Sequence, residues 1–327
     1  MIKHMCSKRF CTLILLGVML IVSSMSAWSL RLEKIKYGDF SNWVTRSITE
    51  SSVLGGKTKK VYEIAPTQSI VGNKPYRNQG GSPWATSNVY AKVVGIVKAS
   101  NTVAPFDRGG GNKCVKMSAM MEEVKVLGVI NMDVMVQGTI FLGQINEPIT
   151  STKTPYSKME MGIPYTKRPV ALVFDYKVDM PATNTRIKST GFGTPKTIQG
   201  RDCAEVYCLL QRRWEDKDGN IYAKRVGTGR ERYYKSTGWI NGHELRIHYG
   251  DITSKPFYKS WMGLLTGDKA PYAKNSRGKM VPVNEVGWDA PNATPTHVMV
   301  MASCASGVPF VGTEGLTLYF DNVAFGF

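Results

Sequence analysis

Histidine is almost missing from this chain, with four in 327 residues. Only His243, His248 and His297 lie beyond the first thirty positions. Any histidine-based triad must draw on these three, and no serine stands in a G-x-S-x-G elbow beside them. His243-Glu244 has no second histidine four residues on, which excludes a zincin helix. Gly56-Lys57-Thr58 imitates the end of a P-loop, but Ser51 occupies the position of its first glycine. Gly227-Thr228-Gly229 lacks the third glycine of a dinucleotide fingerprint. Residues 216–220 carry oxygen ligands at alternate positions. A calcium loop of the EF type needs glycine at the sixth place and glutamate at the twelfth, where Ile221 and Gly227 stand. The segment reads as a hairpin turn.

Long apolar runs are also scarce beyond the N-terminus. The best one, 124–145, is broken by Lys125, Asn131, Asp133 and Gln137, so no membrane span is expected there. Acidic residues are few, 25 against 42 basic ones, for a formal charge of +17. Such a surface attracts anions: nucleic acid, anionic lipid or acidic polysaccharide. No nucleic-acid motif accompanies the charge, so no nucleic-acid partner is expected.

The first thirty residues carry the strongest signal. Lys3, Lys8 and Arg9 precede the apolar run 10–22, and small residues follow at 23–27. This is the pattern of a secretory signal peptide, 1–29, with cleavage near residue 26 or 29. Cys6 and Cys11 lie too early for a lipobox, and the next cysteine is Cys114. The expectation is an exported protein, periplasmic or secreted, with no lipid anchor. Four cysteines would then remain: Cys114, Cys203, Cys208 and Cys304. Cys203 and Cys208 sit an odd distance apart on an expected strand and should face opposite ways, so buried thiols are expected.

The rest reads as β-structure. Segments 171–178, 244–249, 296–302 and 316–327 alternate apolar and polar residues at period two. Segment 124–136 reads as one strand bent at Gly128, and 41–52 as a short helix. Thirty-two glycines and sixteen prolines punctuate these runs, as in a sandwich or barrel. Segments 148–169 and 256–295 read as long ordered loops, where binding residues concentrate.

Several tryptophans sit in loop-like surroundings, among them Trp84, Trp239, Trp261 and Trp288. A flat indole packs on the C–H face of a pyranose ring with little entropy loss, while Asn and Arg fix hydroxyl geometry. Trp84, Asn88, Arg108 and Trp261 are the expected ligand contacts. Arg108 is marked by the Gly109-Gly110-Gly111 run beside it, which lets backbone approach a ligand.

A set of short segments, in order, then resembles a known family. It opens with Gly38-Asp39-Phe40 and Trp43, then Leu54-Gly55-Gly56 with Tyr62 and 83–88 (PWATSN). Gly143, Glu147-Pro148, 163–165 (IPY), Arg168-Pro169, Trp214-Glu215 and 318–323 (LYFDNV) follow. The chain is similar to the exported Bacteroidetes proteins grouped as the putative carbohydrate metabolism domain. The resemblance implies an all-β fold over 30–327: a single galactose-binding-like jelly-roll β-sandwich with long loops. It implies a role in polysaccharide recognition or use at the bacterial envelope, and it carries over no catalytic residues. The first and last strands of such a fold lie together, which would bring Asp39 and Asp321 close enough for a structural calcium; no other cofactor is expected. The expected function is carbohydrate binding, with anionic glycans favoured by the charge. The alternatives are a glycoside hydrolase or polysaccharide lyase built on facing carboxylates, with Asp175, Glu205, Glu215, Asp216 and Asp251 as candidates, and a structural or adhesion module.

Overall fold

Alternating sequence makes alternating structure: strands account for nearly all the regular elements, and the described residues hold four short 3-10 turns and no α-helix. The structure is a computed structural model describing residues 30–93, 95–126, 130–150, 155–191 and 193–327. The expected signal peptide at 1–29 and the expected bend at Gly128 lie outside the described residues.

Two large sheets face each other as a β-sandwich. The first runs in the order Ile130–Gln137, Asn112–Val126, Thr317–Gly326, Ala171–Asp179, Ile240–Arg246. Val103–Gly109 flanks Asn112–Val126, and Leu32–Lys34 pairs with the end of Thr317–Gly326. The second runs Ile163–Pro164, His297–Ser303, Ala204–Glu215, Ile221–Tyr233, Met280–Trp288, Tyr272–Lys274, Met159–Met161, Thr139–Ile145, Trp84–Thr86. Between the sheets lie alternate residues of each. Leu172, Phe174, Tyr176, Leu318 and Phe320 come from one side, and Val206, Cys208, Leu210, Val298 and Val300 from the other. Because the period is two, Asp175, Lys177, Tyr319 and Asp321 point to the outer face of the first sheet. All four cysteines beyond residue 30 are buried free thiols.

The second sheet also closes on itself. Thr139–Ile145 pairs with both His297–Ser303 and Met159–Met161, so seven strands form a ring. Tyr207 and Leu209, which point away from the sandwich core, pack inside it with Phe141, Met161, Leu265, Met299 and Met301. A buried ion pair joins them. Glu285 accepts from Arg225 through Nε (2.5 Å) and Nη2, from Gln211 Nε2 (2.6 Å), and from the backbone N–H of Leu265 (2.6 Å). Segment 256–295, expected as loop, therefore supplies two strands and the plug of this ring.

Two expectations on local structure are corrected. Segment 41–52 holds no helix: Trp43–Thr49 is a strand paired with Thr58–Ile64. Its buried positions include Val44, Arg46 and Ile48. A buried arginine in that series broke the visible alternation. Segment 124–136 is two antiparallel strands, with Val126 opposite Ile130, and not one bent strand.

Arg46 is tolerated inside because two carboxylates meet it: Glu63 at 2.7 Å and Glu147 at 2.6 Å. Burial pushes the Glu63 carboxyl up to about 8, with Arg46 opposing and Glu147 assisting. A carboxyl raised from its ordinary 4.5 stabilises the fold fully below that pH and loses its contribution as pH rises through about 8. Glu63→Gln keeps the neutral form at every pH. Its melting temperature should therefore fall less than that of the native chain between about pH 5 and about pH 9. Parallel melting curves across that range would rule out titration of Glu63.

Candidate functional site

The outer face of the first sheet carries a row of polar side chains from five strands. Asp175 and Asp321 are direct cross-strand partners on Ala171–Asp179 and Thr317–Gly326. Opposite Phe174, the register shifts and Asn322 adopts a left-handed φ of 53°, which asparagine accepts more readily than most residues. This bulge turns both Asp321 and Asn322 toward the same face, and Asn322 Nδ2 reaches Asp175 Oδ2 at 2.8 Å.

Two carboxylates directly opposite each other repel unless a cation joins them. The cation is Arg108. Its Nη1 donates to Asp175 Oδ2 (2.8 Å) and Asp321 Oδ2 (2.7 Å), and its Nη2 to Asn241 Oδ1 (2.7 Å). Asn112 Nδ2 lies 3.4 Å from Asp321 Oδ2, and the Gly242 N–H donates to Asp175 Oδ1 at 2.7 Å. The guanidinium carbon lies 3.8 Å from the centroid of the half-buried Trp239 ring. Trp239 tilts toward Tyr319, which contacts the exposed ring of Phe106 edge-on at 4.9 Å.

The two aspartates are pushed apart electrostatically. Burial raises Asp175, but hydrogen bonds from Arg108, Asn322 and Gly242 outweigh it and hold the carboxyl below the ordinary aspartate value. Asp321 has no exposed side-chain surface, and burial raises it despite Arg108. Beside them, burial pushes the Cys114 thiol up to about 12, which removes it as a nucleophile.

Of the four expected ligand contacts, Arg108 alone stands on this face. Trp84 is a core side chain, 1 % exposed, with its indole N–H on the Lys36 carbonyl and its ring against Phe40. Asn88 is fully buried and uses all four hydrogen-bonding positions internally. Its Nδ2 donates to the carbonyls of Tyr62 and Val103, and its Oδ1 accepts from the N–H groups of Thr102 and Val103. Neither can meet a ligand at the surface. Trp261 is half-buried on the ring of the second sheet, near Arg230 and Arg232. It shares nothing with Arg108.

Asp39 and Asp321 hold different partners in this structure. The first and last strands do lie together, but Asp39 is exposed and caps the Ser41 N–H, while Asp321 holds Arg108. Sequence reading offers Asp175 only among five candidate carboxylates and Trp239 only among the loop-like tryptophans, and it gives no sign of Asn241. The available signal was an aspartate in the middle of each of two mostly apolar strands, where carboxylates are disfavoured unless partnered.

A family model described as putative carbohydrate metabolism domain matches residues 53–264. Two solved structures are similar. One, described as a putative glycoside hydrolase from Bacteroides thetaiotaomicron VPI-5482, has 14% identity and a TM-score of 0.42, over 83% of this chain and 80% of that one. Another, described as a putative glycoside hydrolase from Bacteroides vulgatus ATCC 8482, has 12% identity and a TM-score of 0.42, over 90% of this chain and 94% of that one. No curated protein matches.

Proposed function

The chain belongs to the putative carbohydrate metabolism domain family, and we propose that it is an exported carbohydrate-binding protein of the bacterial envelope that recognises polysaccharide on the outer face of its first sheet. The observation carrying this reading is Arg108, fixed by two carboxylates and an asparagine and stacked on a half-buried tryptophan. Trp239 would pack on a sugar face, while Asn241, Asn112 and the edge of Arg108 would meet hydroxyls. Ion pairing holds Arg108 in place before any ligand arrives, which lowers the ordering cost of binding. The N-terminal pattern at residues 1–29 supports export.

A second reading, glycosidic cleavage, draws on the same pair. Two carboxylates sharing one nitrogen at 2.8 and 2.7 Å lie close together, as the carboxyl pair of a retaining glycosidase does. Their opposite shifts also resemble an acid and a nucleophile. Weighing against it, Asp321 is buried and Arg108 occupies the space between them.

A glycan array followed by calorimetry tests recognition. Trp239→Ala should keep the native melt and weaken binding about tenfold or more. Unchanged affinity would remove this face from consideration. Release of reducing ends by the native chain, abolished in Asp175→Asn, would favour cleavage instead.

A further inference from the structure

We infer that the part of the ring around Glu205 is a second carbohydrate site, selective for sugars that bear a carboxylate. The inference rests on the carbohydrate reading above, but not on the Arg108 face. Glu205 lies directly across from Arg232 on the neighbouring strand and points away from the sandwich core. Its buried carboxylate accepts Nε (3.0 Å) and Nη2 (3.1 Å) of Arg230 and Nε of Arg232 (2.6 Å). Arg232 Nη2 donates to the Ser306 carbonyl at 3.3 Å.

Two guanidinium groups carry ten N–H donors between them. These four bonds, with a further one from Arg232 to the Tyr234 hydroxyl, leave Nη1 of Arg230 without a hydrogen-bond acceptor among the described residues. The charge is unbalanced too, with two cations on one carboxylate. Asp202 lies nearby, but its oxygens take the backbone N–H groups of Cys203, Thr313 and Ser306. One further carboxylate would complete both the donors and the charge, and a planar fork suits that anion.

The surroundings suit a sugar ring carrying that carboxylate. The half-buried Trp261 ring lies 4.8 Å from the Arg232 guanidinium and 5.9 Å from that of Arg230. Tyr234, exposed, adjoins Arg232. Ser306 Oγ is buried with no hydrogen-bond partner among the described residues, an orphan that a ligand hydroxyl could satisfy. The Arg108 face has the opposite balance, two carboxylates on one arginine, and would repel such a ligand.

The test is calorimetric titration of the chain with trigalacturonate and with the same trisaccharide after reduction of its carboxyls to alcohols. The charged sugar should bind about tenfold or more tightly than the reduced one, and added salt should erode the difference. Arg232→Gln leaves the two-bond Arg230–Glu205 pair in place, so the buried carboxylate stays partnered; it should bring the charged sugar down to the level of the reduced one. Trp261→Ala should weaken both sugars, and it carries the test if Arg232→Gln loses its native melt. Equal affinity for the two sugars overturns the inference. So does a charge preference that survives Arg232→Gln, or is lost in Trp239→Ala instead. Neutral glycans binding at Trp239 with no binding of trigalacturonate sinks this inference alone, whereas no binding of any glycan sinks the carbohydrate reading with it.

Discussion

Trp84→Ala should cost the fold about 3–5 kcal/mol, the range for deleting a large buried aromatic side chain. Glycan recognition by the molecules that remain folded should be untouched. The indole is a core side chain, its N–H satisfied by the Lys36 carbonyl and its edge against Phe40. Truncation leaves a cavity between two sheets and a carbonyl without its donor. A denaturant melt reads the loss directly. A stability within about 1 kcal/mol of the native chain would mean that the site collapses around the missing ring. Trp239→Ala should do the opposite, sparing stability and weakening recognition.

Glu285→Ala should be comparably severe, at about 3–5 kcal/mol, because it strands a fully buried arginine. Its four hydrogen bonds hold Arg225, Gln211 and the Leu265 backbone, and through Leu265 the plug of the ring. Amide exchange near Leu265 should accelerate before global unfolding. Replacing both partners by apolar residues, Arg225→Met with Glu285→Leu, should recover much of the loss, since neither charge is then left alone. A double variant no better than Glu285→Ala would show that geometry inside the ring, and not an unpaired charge, sets the cost.

Sequence pattern made the strands legible where one face was apolar throughout, as in 171–178 and 316–327. The turn at 216–220 was legible because Asp216 Oδ1 accepts the N–H groups of Asp218 and Asn220, which is what its residue types offer. Arg46 defeated the same reading, since a charge that pairs with two buried glutamates looks like a polar face. Arg108 could be picked out from the glycines beside it. Its partners could not: Asp175 is 67 residues away and Asp321 is 213. Trp84, framed by glycine, proline and serine, imitated a loop residue while serving as core. Local composition reports the backbone's needs, whereas a polar site is assembled by sheet order, which composition does not encode.

That sheet order has a kinetic side. Thr317–Gly326 lies in the middle of the first sheet, between Asn112–Val126 and Ala171–Asp179, and also pairs with Leu32–Lys34. Until residues 317–326 have been synthesised, both neighbours present bare edges and the sandwich lacks half of its seam. Contacts of such long sequence separation form slowly. A sandwich closed by its last strand leaves those edges open to edge-to-edge association until the C-terminus arrives.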